Sequence, residues 1–157
     1  MRFIRYIQYV LKHKWFVFLA CVKYGIIWQG IIHDLSKFYP DEFIGYANYF
    51  FGGRKNEEQF NHSWMMHQHR NPHHWQYWTL LDERGVVSVK IPLRYLKEMV
   101  CDWIGSSQSK IDAMQPLEWY VANKDRIHMH PESRLWIEKE LENGNSIEDA
   151  KQYYKAS

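Results

Sequence analysis

All five prolines of this 157-residue chain stand where a helix can begin. A proline's fixed φ and missing N–H suit the first turn of a helix and oppose any later one. Pro40, Pro72, Pro92, Pro116 and Pro131 therefore divide the chain into short helical segments. Ahead of them, Phe3, Ile4, Ile7, Val10, Leu11, Phe18, Leu19 and Val22 recur at three-and-four spacing. That rhythm predicts a helix over 2–23, closed by Gly25. Further helices are expected over 26–38, 40–51 and 57–70, from Pro72 through Trp78, and over 93–104, 116–128 and 131–141. A polar linker is expected at 106–110, and a C-terminal tail opened by Ser146 with Asp149 three residues later. The stretch Val86–Ile91 reads as extended, so a short β-hairpin near 84–91 is allowed. The sum is an all-α bundle of six or seven helices in a single domain over 1–157.

Within that scaffold one dipeptide carries chemistry. His33-Asp34 joins an imidazole to a carboxylate, and both are good ligands for divalent transition metals. Adjacent side chains on a helix diverge by about 100°, so they converge only on something lying between them. Other ligand-type residues surround the pair in sequence: His13 upstream, His62, His67, His69, His73 and His74 in a dense cluster, and Asp102 downstream. Asp102 lies between Cys101 and Trp103 on an apolar helix, where a lone buried carboxylate would be very costly.

The order His13, His33-Asp34, Asp102 resembles the H…HD…D signature of the HD-domain metal-dependent phosphohydrolase superfamily. His33-Asp34-Leu35-Ser36-Lys37 is similar to its HD-x-x-K form. The words HDLSKF, NPHHW and EMVCDW also resemble an uncharacterised phage and bacterial family. The resemblance covers most of 1–110, leaving 116–157 as a helical extension. It implies an HD-domain-like helical bundle in which His13, His33, Asp34 and Asp102 hold a divalent metal (Mn, Fe, Co, Ni or Zn). It further implies that metal-activated water hydrolyses a phosphoester. One branch of the superfamily adds two histidines between the doublet and the last aspartate and binds a second metal. His67 and His74 could fill that part, although such histidines usually lie farther apart in sequence. One or two metals per chain are therefore expected. If they are not ligands, His67 or His74 would serve as a general acid or a phosphate contact.

Lys37 is a candidate catalytic residue, either holding a substrate phosphate or acting as a solvated lysine at a helix end. Asp41 and Glu42 read as first-turn residues at the positive end of a helix dipole, with contact to substrate or water as the alternative. Glu98, four residues before Asp102, shares its face and could orient a histidine ligand.

The bulk numbers narrow the partners. A net charge of +2 is far from the basic excess of a dedicated nucleic-acid binder, and favours a small anionic ligand held by local cations. With eight Trp and eleven Tyr, rings must build much of the core, while a few could line a cleft that stacks a nucleobase or sugar. A small phosphorylated substrate, a nucleotide in particular, is the expectation. No G-x-x-x-x-G-K-[ST] loop is present, which argues against an ATP-driven motor or kinase. The apolar run Trp15–Val22 is far shorter than the roughly 20 residues that span a bilayer. Cys21 and Cys101 share no metal-ligand spacing and read as buried free thiols. Together these favour a cytoplasmic protein without a membrane partner, and leave a homodimer open. Two other classes remain: a mixed-valent di-iron oxygenase on the same histidine-aspartate frame, and a non-catalytic phage protein that binds a nucleotide or a host partner.

Overall fold

The computed structural model describes residues 1–53 and 55–143, and the expected tail at Ser146 and Asp149 lies outside them. The described residues form an all-α bundle with one small antiparallel hairpin. Its helices are α1 (Arg2–Lys23), α2 (Ile27–Ile32), α3 (Pro40–Phe51), α4 (Glu57–Arg70), α5 (Leu93–Ser109), α6 (Pro116–Asn123) and α7 (Pro131–Glu142). The hairpin pairs β1 (Thr79–Asp82) with β2 (Gly85–Ser88), so it starts before the expected 84–91.

α1 is the central element. Tyr6, Val10, His13, Val17 and Ala20 recur every three or four residues and are all buried. The upper part of that stripe packs on α5. Val17, Ala20 and Cys21 meet Leu96, Val100, Cys101 and Ile104 there, and Ile137 and Leu141 of α7 join the same core. Both cysteines are free and buried, as expected. The lower part packs on α3, with Tyr6 and Val10 against Tyr46 and Ala47. Gly105 is what lets α5 lie so close to α1. A Cβ there would stand 2.9 Å from the backbone nitrogen of Val17 and 2.3 Å from its Cγ2. Gly45 does the same between α3 and α4, where a Cβ would fall 1.9 Å from Ser63 Oγ.

Four expectations need correction. The helix expected over 26–38 is broken: α2 ends at Ile32, His33 is extended at ψ 128°, and Asp34 is left-handed at φ 56°. A separate 3₁₀ turn, Leu35–Phe38, follows. Aspartate tolerates this conformation better than most residues because its short polar side chain can bond locally. Pro72 opens no helix. Asn71 is extended, as a residue before proline tends to be, and an irregular turn carries His73 and His74 to a 3₁₀ turn at Trp75–Trp78. The linker expected at 106–110 is mostly helix, since α5 continues to Ser109. Ser107 and Ser109 return their hydroxyls to the carbonyls of Ile104 and Gly105, which lets polar residues stay in the helix. Finally, α6 stops at Asn123, and Lys124–Arg126 forms a 3₁₀ turn.

Candidate metal centre

Each element that meets behind α1 contributes a ligand-type side chain. His13 comes from the buried stripe of α1, His67 from the last turn of α4, and Glu98 and Asp102 from α5. His33 and Asp34 come from the break after α2, and His73 and His74 from the turn after α4. The break explains how two consecutive residues point into one cavity, which a continuous helix would forbid.

Among the described residues the ligand atoms form three groups, of which two share Asp34 and the third joins His33 and His73 to Glu98. In the first, His13, His33, Asp34 and Asp102 place one ligand atom each within 4.8 Å of one another. His13 Nε2 lies 3.1 Å from Asp102 Oδ1 and 3.4 Å from Asp34 Oδ2, and His33 Nε2 lies 3.3 Å from the same Asp34 oxygen. In the second, Asp34, His67, His73 and His74 converge equally closely. Here His67 Nε2 and His73 Nε2 stand 3.4 and 3.3 Å from the other oxygen, Asp34 Oδ1. One carboxylate thus faces both groups, one oxygen to each.

The outward nitrogens of His33, His67 and His73 are held by carboxylates. Glu98 Oε1 lies 3.0 Å from His33 Nδ1 and 3.1 Å from His73 Nδ1, so one oxygen orients a histidine in each group. Glu42 Oε2 sits 2.9 Å from His67 Nδ1, and Ser36 donates to that oxygen. With Nδ1–H donating to a carboxylate, Nε2 keeps its lone pair for the cavity. Arg70 completes the network by donating to Glu42 and to both oxygens of Asp41.

Charge and burial act together on these groups. Burial opposes the ionised form of Asp34, yet His33, Lys37 and His67 hold it well below the usual carboxylate range. Asp102 is lowered in the same way by His13 and His33. Glu98 falls to about 2 against its burial, through its bonds to His33 and His73. Burial pushes His67 down to about 3, and His74 also well below its ordinary value, so both are neutral. His33 and His73 move the other way, because their carboxylate neighbours outweigh burial. The Lys37 ammonium lies 2.6 Å from Asp34 Oδ2, and its affinity for its proton is raised mainly by that charge, against burial.

The residues fit a metal. Asp34 Oδ1 and the Nε2 atoms of His13, His33, His73 and His74 are buried without a well-directed hydrogen bond, and Asp34 Oδ2 is met by the Lys37 ammonium. Native proteins rarely leave so many buried polar atoms orphaned, since each costs about 1–3 kcal/mol. Lone pairs that converge on a common point rather than on each other are what cations would satisfy.

The sequence-derived set is brought together: His13, His33, Asp34 and Asp102 in one group, and His67 and His74 in the other. Lys37 lies beside Asp34. Two participants went unassigned from sequence. His73 joins the second group, which a helical reading of 72–78 could not show because it sends His73 and His74 to different faces. Glu42 is fully buried and orients His67, and does more than stabilise a helix end. The remaining cluster members, His62 and His69, are exposed on the far side of α4.

The chain belongs to the DUF5662 family, a family of unknown function, whose model matches residues 2–143. No curated protein and no solved structure matches it.

Proposed function

We propose that this protein is a metal-dependent phosphohydrolase acting on a small phosphorylated substrate, a nucleotide in particular. The observation that carries the reading is the sharing of Asp34 between two ligand groups that open into a cleft. A pair of divalent cations held there would lower the pKa of a coordinated water to about 7 and offset the charge of a phosphoryl group. The histidine-rich set suits Mn, Fe, Co, Ni or Zn, and Asp34 offers one oxygen to each ligand group.

The chain's own groups do the rest. His13, His33, Asp34 and Asp102 would hold one cation, and Asp34, His67, His73 and His74 the other. Glu98 fixes the imidazoles of His33 and His73, and Glu42 that of His67. His67 and His74 are ligands and not proton donors in this reading, because burial keeps both neutral at physiological pH. Lys37 lines the cleft beside Asp34 and stays protonated, so it can hold a phosphoryl oxygen as a point charge. The cleft has a volume of about 760 Å³, within the range of small-molecule sites and far beyond the need of a lone phosphate. Trp64, Trp75, Trp103 and Trp119 line it, offering flat surfaces for a base.

The test is metal content per chain, wild type against Asp34→Asn, on protein prepared without chelator or nickel resin, followed by a screen of phosphomonoesters and phosphodiesters. Two equivalents lost in the variant, with metal-dependent phosphate release from a nucleotide, support the reading. Two irons with oxygen-dependent turnover would replace it with a di-iron oxygenase. No metal in either protein after reconstitution with Mn, Fe, Ni and Zn would end it.

A further inference from the structure

The first two helices present a second apolar stripe, and it faces away from the core. At 100° per residue along α1, Ile4, Ile7, Leu11, Trp15, Phe18 and Val22 fall within about 80° of one another. Their centre is turned about 130° from the buried stripe that packs on α3 and α5. All but Phe18, which is half-buried, are exposed, Ile4 to 63% and Trp15 to 56%. α2 continues the patch. Gly30 lies against α1, where a Cβ would stand 3.2 Å from the Phe18 Cα, and Lys14 donates to the carbonyls of Ile31 and His33. Ile27, Trp28, Ile31 and Ile32 turn the other way and are exposed, Trp28 to 66%. Single exposed apolar residues are ordinary, but a contiguous set of this size marks a contact surface.

Charge decides what the surface meets. Residues 1–33 hold five of the chain's twenty Lys and Arg and none of its eighteen Asp and Glu, so the net +2 divides into a basic end and an acidic remainder. Arg5, Lys12 and Lys23 fall within about 80° of the edge of the α1 stripe. A second copy docked by a two-fold axis would set this face against itself, cation against cation, with no carboxylate on either helix to pair them. An anionic bilayer surface supplies the opposite charge and an apolar layer together, and indoles favour the boundary between the two. No helix among the described residues is long and apolar enough to cross a membrane, and a face lying flat on one needs no such length. The expectation of no membrane partner came from that spanning criterion, which does not speak to such a face.

We propose that the α1–α2 face docks on the surface of an anionic lipid bilayer, with the Trp15 and Trp28 indoles at the boundary of headgroups and acyl chains and with Arg5 and Lys12 over the lipid phosphates. The proposal goes beyond the phosphohydrolase reading and does not depend on it, since none of these side chains is a candidate ligand or lines the cleft. His13 leaves α1 on the opposite side, so the docked chain holds its ligand cluster about one helix diameter from the surface.

The test is flotation of the full chain with vesicles of phosphatidylcholine alone and of phosphatidylcholine and phosphatidylglycerol in equal parts, with sedimentation velocity of the protein by itself. The wild type should partition into the phosphatidylglycerol vesicles at least tenfold better than into phosphatidylcholine, and added salt should shrink that gain. Trp15→Ser/Trp28→Ser should lower the partition at least tenfold. Arg5→Ala/Lys12→Ala should lower it about thirtyfold, at about fivefold per cation lost near the surface. All four residues are exposed, so both double variants should keep the wild-type urea midpoint and metal content. Binding to neither vesicle, equal binding to both, or binding unchanged in either double variant would each overturn the proposal. A dimer that Trp15→Ser/Trp28→Ser separates, without vesicle binding, would overturn it in favour of a second copy.

Discussion

Glu98→Gln is the most informative single substitution, because one carboxylate oxygen serves a histidine in each ligand group. A glutamine oxygen keeps two lone pairs and can still meet both Nδ1–H groups, but it carries no full negative charge. Both imidazoles therefore exchange a charge-assisted orienting bond for a weaker neutral one. In the metal-free protein, the Glu98 carboxyl lies at about 2 against an ordinary 4.5. At about 1.4 kcal/mol per tenfold, that is on the order of 3 kcal/mol, shared between Glu98 and its two imidazoles. Because the folded value is the depressed one, this stability is present above pH 4.5 and lost as the pH falls towards 2. Urea unfolding of the metal-free variant at pH 7 should reveal most of that loss, and the gap from wild type should shrink below pH 4. In the loaded protein, loss of such a partner typically costs 10–100-fold in metal affinity. Chelator competition should show both equivalents weakened. Glu42→Gln, acting through His67 alone, should weaken one. Wild-type affinity for both metals in Glu98→Gln, or a loss confined to one, would refute the assignment of Glu98 to both groups.

Other substitutions and conditions separate the two groups. Asp34→Asn should remove both metals, whereas Asp102→Asn should remove only the one held with His13 and His33, and metal analysis of the two variants side by side decides this. Metal retention should fall as the pH is lowered: His33 and His73 hold their protons more tightly than ordinary histidines, and a cation must displace them. Dialysis at pH 5 and pH 8 followed by metal analysis checks the direction, and equal retention at both would contradict it. Gly105→Ala forces α5 away from the Val17 backbone and should cost about 1–3 kcal/mol, seen as a lower urea midpoint at unchanged slope. An unchanged midpoint would mean that the α1–α5 contact is looser than drawn.

Much of the fold was readable because the punctuation is local chemistry. Pro40, Pro116 and Pro131 each open a helix at the first turn, and Asn56 caps α4 by accepting from the Gln59 backbone. These signals depend on neighbours in sequence, so they survive without tertiary knowledge. The misread segments lack that property. Helical spacing continues through 26–38, and nothing local announces that Asp34 turns left-handed. The cause is tertiary: Asp34 must face His13, His67 and His73 from other elements at once, and a helix would aim it elsewhere. Ser106–Ser109 looked like a linker because serine favours turns, but packing beside Gly105 keeps the helix intact.

The same division runs through the site. His13, His33, Asp34 and Asp102 were legible as an ordered set of ligand types, and each falls where elements cross. His73 was obscured by its own doublet, since a helix allows only one of two adjacent histidines to face inward. The turn after Asn71-Pro72 lifts that restriction, as the break before Asp34 does for His33. Both departures from helix thus have one physical consequence. They let neighbouring residues share a cavity, and in doing so they raise the ligand count from what one group needs to what two require. A chain that kept its helices regular at both places would lose at least one ligand to solvent on each side, and with it the shared carboxylate on which the two-metal reading depends.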